Sequence, residues 1–491
     1  MSYVLSVDQS TQGTKALLFD GNGALICRRD VAHEQIVNEQ GWVSHDPEEI
    51  YRNTVESVRL VIEASGVDAS NIVAMGISNQ RETSLCWDKA SGKPIADAIV
   101  WQCGRAKDLC RRVEEAGWGK MVRNATGIPV SPFFPASKFA WIVENVPDAR
   151  QKMEKHQLCF GTIDTWLVYC LTGGESYKTD YSNASRTQLF NIHTLSWDAA
   201  VCTVFGLNAD DLAEVTDSDA CFGYTDIGGI LPKRIPIQGV LGDSHGALFG
   251  QGCLKSGMAK ATYGTGSSIM MNIGTQPMES RNGLVTSLAW KYRGQVNYVM
   301  EGNLNYTGAV IRWLEKDLGL VASAKETQVL AENANPEDTT YLVPAFTGLG
   351  APYWDDDAKA LICGITRLTG RAELVKAGLD CIAFQITDVV KAMEKDTGLQ
   401  LSELRVDGSP TRNGYLMQLQ SDLLGVDVRI PSSEELSGIG AAYMAGLSVG
   451  IYTNEMLSCL NSTIFSRKMT PSESWQRYSG WQNAVKLVLT T

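Results

Sequence analysis

Short apolar runs broken by polar turns open this chain. Tyr3-Val4-Leu5-Ser6-Val7 predicts a strand and Asp8-Gln9-Ser10-Thr11-Gln12-Gly13 a polar turn. Residues 14–19 predict a returning strand, and Gly21-Asn22-Gly23 a further turn. The period then changes to a helical one. Asp46 is placed to cap a helix, Pro47 to occupy its first turn, and Glu48 and Glu49 to face the positive end of its dipole. Ile50, Val55, Val58, Val61 and Ile62 follow at helical spacing, and Gly66 closes the element. The apolar run 72–77 predicts a buried strand that delivers Asn79-Gln80-Arg81-Glu82 at its carboxyl end, where open α/β sheets bind ligands.

The same device returns about half a chain length later. Residues 258–262 predict a strand, 263–268 a Gly/Thr/Ser turn and 269–272 a second strand. Two halves that each open on a hydroxyl-rich hairpin suggest a duplicated α/β domain with a cleft between, divided near residues 250–256. No low-complexity linker separates them, which suits domains packed together.

Composition narrows the function. With 44% hydrophobic and 20% charged residues, the chain is neither disordered nor fibrous. Forty-three basic against fifty-five acidic residues leave a net charge of −12, and the basic residues form no cluster, so nucleic acid is not expected as a partner. ATP is compatible, because backbone amides and Mg²⁺ hold it as much as cationic side chains do. Twelve scattered cysteines without C-x-x-C spacing suit a reducing compartment. No segment reads as a secretory signal, and no apolar run approaches the roughly 18 residues of a membrane span. A cytoplasmic protein is expected.

Several residues could carry chemistry. The turn from Asp8 through Thr11, Gln12 and Lys15 could cradle phosphates, with the aspartate holding Mg²⁺; it also reads as an ordinary hairpin turn. Gly264-Thr265-Gly266 has the same two readings, and no P-loop or dinucleotide pattern occurs. Asp243, at the end of an apolar strand, is either a helix N-cap or a carboxylate that accepts a proton from a substrate hydroxyl. His245 is either a second candidate base or, as a lone histidine more often is, a structural residue. Arg81 and Glu82 could hold vicinal hydroxyls, one donating and one accepting, or form a surface pair. Asp407-Gly408-Ser409-Pro410 leads into a helix at Tyr415, a place suited to an anion or a nucleotide base.

Longer blocks add a resemblance. Asn79-Gln80-Arg81-Glu82-Thr83, Ala98-Ile99-Val100-Trp101-Gln102-Cys103, Phe160-Gly161-Thr162-Ile163-Asp164-Thr165-Trp166-Leu167, Thr179-Asp180-Tyr181-Ser182-Asn183-Ala184-Ser185-Arg186-Thr187 and Pro344-Ala345-Phe346-Thr347-Gly348-Leu349-Gly350 resemble the FGGY carbohydrate kinases, and within them the glycerol kinase branch. So do both family signatures, around Phe133 to Asn145 and residues 360–380, the second with Gly378 where a larger residue is usual. The resemblance runs from about residue 3 to residue 485. It implies two ribonuclease-H-like, actin-like domains, 1–250 on the substrate side and 251–491 on the nucleotide side, with MgATP in the cleft between them.

Carried over by position, the resemblance makes Asp243 the catalytic base and Asp8, together with Asp243, the Mg²⁺ carboxylates. Thr11, Gln12 and Lys15 fall at the first phosphate turn and Thr265 and Gly266 at the second. Gly308, Arg312, Ser409 and Asn413 fall on the nucleotide side. Arg81, Glu82, Trp101, Phe133, Asp243, Ser244 and Ser268 fall at the substrate. Phe133, Ser244 and Ser268 depart from the branch, which has tyrosine, glutamine and phenylalanine there. Such changes enlarge a pocket and alter its polarity, so a tetritol, pentitol or ketopentose competes with glycerol as substrate. Arg312 and Ser409 depart from glutamine and glycine, and Leu231-Pro232-Lys233-Arg234 replaces a sugar-bisphosphate regulatory loop. A homo-oligomer is expected by resemblance only, and a catalytically silent actin-like nucleotide sensor is the rival from another class.

Overall fold

The structure, a computed structural model, describes residues 2–458 and 461–490. Cys459 lies outside them; the described cysteines are all free thiols. Among the described residues no helix is long and apolar enough to cross a membrane.

Two mixed sheets carry the chain. In the first, the strand order is Cys221–Thr225, Ile235–Gly242, Ile72–Asn79, Tyr3–Gln9, Gly13–Phe19, Leu25–Ala32. Tyr3–Gln9 pairs antiparallel with Gly13–Phe19, setting Asp8 opposite Lys15, and parallel with Ile72–Asn79. Ile235–Gly242 also runs parallel to Ile72–Asn79, with Gly242 opposite Asn79. The carboxyl ends of three parallel strands therefore lie side by side at Gln9, Asn79 and Gly242. These strands are buried on both faces, which is why they read as continuous apolar runs. The edge strand Leu25–Ala32 instead carries Arg28, Arg29 and Asp30, charges that discourage further pairing.

The second sheet repeats the plan. Its order is Val285–Tyr292, Gln295–Leu304, Ser267–Gly274, Met258–Tyr263, Glu403–Asp407, Val428–Pro431, Ser462–Phe465. Met258–Tyr263 pairs antiparallel with Ser267–Gly274 and parallel with Glu403–Asp407, as Tyr3–Gln9 does with its own neighbours. Two sheets that share this central pairing, an opening hairpin with a parallel strand beside it, bear out the α/β fold with two similar halves, although Ser267–Gly274 pairs with Gln295–Leu304 and leaves Val285–Tyr292 at the edge. Both hairpin turns are tighter than the sequence suggests. The first strand continues through Gln9, and the second turn shrinks to Gly264-Thr265-Gly266. Tyr263 stays in its strand because its ring is buried and its hydroxyl donates to Gln420 at 2.9 Å.

The first helix, Pro47–Ser65, forms as its sequence suggests. Asp46 accepts from the Glu48 amide at 2.8 Å, and Gly66 ends the helix at φ 66°. Ile50, Val58 and Val61 are buried, and Val55 and Ile62 pack against the same cluster. Asp243 differs from its N-cap reading. Gly242 is the cap of helix Asp243–Gly250, and Asp243 is its first residue, its carboxylate accepting from the adjacent Ser244 amide.

The halves are not separated at a single chain crossing. Helix Leu436–Ser448, late in the sequence, packs on the first sheet and against helix Asp243–Gly250. Glycines let the backbones touch. A Cβ on Gly440 would stand 1.9 Å from the Gly246 carbonyl oxygen, and one on Gly250 2.4 Å from that of Leu436. A Cβ on Gly76 would stand 2.3 Å from the Ala441 carbonyl oxygen. The cluster around this crossing joins Val4, Leu17, Leu241 and Phe249 to Met270, Trp290 and Val299, so one core spans both sheets. Substituting Gly440→Ala drives a methyl into backbone that cannot yield, and should lower stability by about 2 kcal/mol or more. Gly21→Ala, where the nearest atom is 3.5 Å away, should cost under about 1 kcal/mol in the same denaturant titration.

Candidate active site

The three parallel strand ends of the first sheet present Asp8, Arg81, Glu82 and Asp243 to one place. Asp8 is the residue before its strand's end, and Asp243 follows directly on Gly242. Arg81 and Glu82 follow strand Ile72–Asn79 in a tight reversal. The Thr83 amide donates to the Arg81 carbonyl at 2.8 Å, and Glu82 takes φ 60°, a left-handed conformation rare for glutamate. That strained residue is held from several sides. Its carbonyl accepts from Ser84 Oγ at 2.9 Å and from Lys138 Nζ at 3.3 Å. Burial lowers the Lys138 amine to about 7. Local strain of this kind persists where the surroundings over-determine it, which is common at functional sites.

Charges alternate through the site. Arg81 Nε lies 3.2 Å from Asp243 Oδ1, and its two terminal nitrogens donate to the two oxygens of Glu301 at 3.1 and 3.0 Å. Arg186 Nε donates to Glu82 Oε1 at 2.6 Å, and its Nη1 lies 2.9 Å from Glu301 Oε2. Burial would raise the Glu301 carboxyl, but Arg186 and Arg81 outweigh it and hold that group well below the usual range. The side chains of Arg81, Glu82, Arg186 and Glu301 are buried, whereas that of Asp243 is 37% exposed. Asp243 is thus the open end of a buried charge chain.

Asp8 behaves differently. Burial is the main cause that raises its carboxyl to about 6; Lys15, 3.8 Å away, lowers it, and the charge of Asp243 adds to the rise. Lys15 is shared with Glu435, which it meets at 3.0 Å. Two carboxylates that repel each other beside a polar turn suit a hard cation with oxygen ligands completed by phosphate and water.

The remaining predicted residues fall into two groups. Thr11 Oγ1 accepts from Trp101 Nε1 at 3.0 Å, joining the first hairpin turn to the segment after strand residue Ile99, and the Trp101 ring meets that of Phe133 at 5.5 Å. Gln12 is exposed at the tip of that turn. Ser244 donates its amide to Asp243 Oδ1 at 2.6 Å. Ser268 is half-buried, and its hydroxyl donates to Glu301 Oε1 at 3.1 Å, so it joins the charge network besides making room. On the other side, the Gly308 amide donates to the Gly264 carbonyl at 2.9 Å, and a Cβ on Gly266 would stand 2.2 Å from the Leu304 carbonyl oxygen. Thr265 is exposed at the tip of that turn. Gly408, at φ 98°, packs on the Tyr263 carbonyl and brings the exposed Ser409 beside the same turn. Arg312 is exposed. Asn413 caps helix Gly414–Leu424 through the Leu416 amide, as asparagine before a helix commonly does, and donates to Thr327 Oγ1 at 3.1 Å.

His245, the second candidate base, does not face the cleft. Its ring is fully buried, both nitrogens lack a partner among the described residues, and burial with the Arg81 charge pushes its pKa well down. Sequence reasoning passed over Glu301 and Arg186. The available signal was a lone charge inside an apolar strand, Tyr298-Val299-Met300-Glu301, since glutamate is rarely fully buried without a partner.

Comparison with known proteins gives the family. The family models for the N- and C-terminal domains of the FGGY family of carbohydrate kinases match residues 3–250 and 259–449. The chain belongs to the FGGY family of carbohydrate kinases. It is 44% identical to glycerol kinase 1 of Thermotoga maritima over 492 residues, covering 99% of this chain and 100% of that protein. A glycerol kinase of Natranaerobius thermophilus is 43% identical, covering 99% and 98%. Among solved structures, Plasmodium falciparum glycerol kinase with ADP superposes with a TM-score of 0.95 at 34% identity, covering 100% of this chain and 99% of that one. A xylulose kinase of Lactobacillus acidophilus, at 19% identity and a TM-score of 0.88 with 99% and 98% covered, shares the fold. The protein is therefore an ATP-dependent carbohydrate or polyol kinase. The family's second signature departs at Gly378 because Leu314 fills the space: a Cβ there would stand 2.6 Å from Leu314 Cδ1.

Two outcomes follow from the site's electrostatics. Arg186→Met leaves Glu82 and Glu301 buried without their shared cation and should cost about 3–5 kcal/mol in denaturant unfolding. Arg52→Met, which removes an exposed partner of Asp46, should cost under about 1 kcal/mol. The second outcome concerns His33, which lies against Gln9, Thr14 and Asn53 beneath the first turn and which burial, then His45, lowers to about 4. A base with a depressed folded pKa contributes stability above its unfolded value, near 6.5, that drains as pH falls toward 4. The melting temperature should fall more steeply over that window in the wild type than in His33→Asn.

Proposed function

We propose that the chain phosphorylates a terminal primary hydroxyl of a small polyol, glycerol first, using MgATP. The observation that carries this reading is the exposure of the Asp243 carboxylate at the end of a buried charge chain, 3.2 Å from Arg81 Nε. A carboxylate placed there can take the hydroxyl proton while the hydroxyl oxygen attacks the γ-phosphorus and ADP departs. Glycerol kinases that are 43–44% identical over nearly the whole chain support the substrate.

The roles of the other groups follow from donor and acceptor counts. Arg81 has five N–H donors; Glu301 takes two, and Nε faces Asp243, which leaves two for a substrate diol. Glu82 Oε1 is occupied by Arg186, and Oε2, without a partner among the described residues, remains to accept from a hydroxyl. Trp101 and Phe133 give the pocket an apolar wall. Asp8 and Asp243 would hold Mg²⁺, which supplies neutralisation of phosphate charge. The turn residues Thr11, Gln12, Thr265 and Gly266 would meet the phosphates, since the Ser10 and Gly264 amides already donate to the Gly13 and Gly266 carbonyls, with Gly308, Arg312, Ser409 and Asn413 on the nucleotide side. In this reading residues 1–250 supply the substrate side and 251–491 the nucleotide side, in a cytoplasmic enzyme.

A longer substrate is the second reading. Ser244 and Ser268, two small half-buried side chains, leave more room than glutamine and phenylalanine would, and Phe133 offers no hydroxyl. An ADP-release assay over glycerol, erythritol, threitol, the pentitols, xylulose and ribulose separates the two. Glycerol should give the highest kcat/KM, and a four- or five-carbon compound ahead of it would install the second reading. Asp243→Asn should lower kcat by about 10²–10⁴ while the fold is kept. Wild-type turnover in that variant would sink the mechanism.

A further inference from the structure

Glu301 has no direct access to a substrate, yet of the two groups proposed to grip one it meets Arg81 directly and Glu82 through Arg186. Its side chain is 0% exposed, on strand Gln295–Leu304 of the second sheet, opposite the buried apolar residues Met270 and Val285. Arg81, Glu82 and Arg186 all come from the other half of the sequence. Each Glu301 oxygen faces two donor groups. Oε1 accepts from Arg81 and from Ser268 Oγ at 3.1 Å. Oε2 accepts from Arg81 and lies 2.9 Å from Arg186 Nη1.

We infer that Glu301 is a positioning residue that fixes the Arg81 guanidinium directly and Glu82 through Arg186, so that the polyol grip is assembled by both halves. The inference rests on the reading above, in which Arg81 and Glu82 hold the substrate. A paired fork on a carboxylate sets the plane of a guanidinium as well as its place. With both terminal nitrogens fixed by Glu301, the remaining N–H groups of Arg81 have defined directions, and Nε is left facing Asp243. Arg186, held between Glu301 and Glu82, transmits the same constraint to the second gripping group. Ser268 completes the set from the hairpin that carries the second phosphate turn, which links the polyol grip to the nucleotide side. Its hydroxyl is thereby a specificity element acting through Glu301, beyond the space its small size leaves.

The test compares Glu301→Gln and Ser268→Ala with the wild type in the full-length enzyme, using the polyol the wild type turns over best. Glu301→Gln should raise KM for the polyol by about 10-fold or more, with KM for ATP changed less than about 2-fold. Glu301→Asp should recover part of the polyol KM. Ser268→Ala, which removes one donor and no charge, should raise the polyol KM by about 2–5-fold and leave that for ATP unchanged. An unchanged polyol KM, or an equal rise in both constants, overturns the inference; should Glu301→Gln fail to fold, Ser268→Ala decides alone by the same criterion. A substrate-free measurement keeps this apart from the substrate assignment. Guanidinium ¹⁵N spectra should show restricted Arg81 terminal nitrogens in the wild type and averaged ones in Glu301→Gln or Ser268→Ala, and averaging already in the wild type overturns the inference. Silence of the wild type on every polyol would count against the proposed substrate and leave that spectrum to decide.

Discussion

Two arginines and two glutamates, all withdrawn from water, hold the site together where the two sheets meet. Arg186 bridges Glu82 and Glu301, and Glu301 in turn holds Arg81. Taking four charges out of water costs several kcal/mol apiece, and only close opposite charges with good geometry offset it. None of the four can therefore move far alone. The strained Glu82 turn, the aim of Arg81 and the position of Asp243 at the open end all inherit that constraint. In the proposed function, the gripping groups are thereby fixed before substrate arrives and one carboxylate remains open to react, the preorganised arrangement that phosphoryl transfer favours.

The second support is steric. At the crossing of helices Asp243–Gly250 and Leu436–Ser448, glycines bring backbone against backbone, with room for no Cβ at Gly440. Asp243 begins the first of these helices, so its carboxylate is anchored by a crossing made far along the chain. The apolar cluster around the crossing takes side chains from both sheets. Electrostatics from the buried charges and close packing at the helix crossing thus position the same residue. A kinase needs this coupling because the acceptor and the phosphates must meet in line, and small misplacements are costly in rate.

The pocket departures take on different weights once their surroundings are known. Phe133 packs at a tilt against Trp101, and the pair is apolar. Ser268 makes room but also joins the buried network through Glu301, which a phenylalanine could not do. Ser244 lies beside Asp243, its amide on the carboxylate. His245, chemically the most suggestive of the neighbours, is sealed away in a neutral form. Residue type proposes chemistry, and exposure decides whether a side chain can perform it.

What the sequence determined by itself was local or repeated. The first helix was legible because Asp46, Pro47, Gly66 and the apolar spacing act within a few turns. The paired hairpins were legible because strand periodicity and turn residues recur in both halves. Asp8, Arg81, Glu82 and Asp243 could be singled out because strand ends in such sheets gather ligands. Tertiary structure alone decided which charges meet. Arg81 reaches Glu301 across 220 positions and Arg186 reaches Glu82 across 104, distances over which no periodicity carries information. Likewise, nothing in Gly440 foretells the Gly246 carbonyl, and nothing in Asn413 foretells its bond to Thr327. Such contacts depend on how the sheets and helices pack in space, and packing is a property of the whole chain, whereas caps, turns and periods belong to a few neighbouring residues.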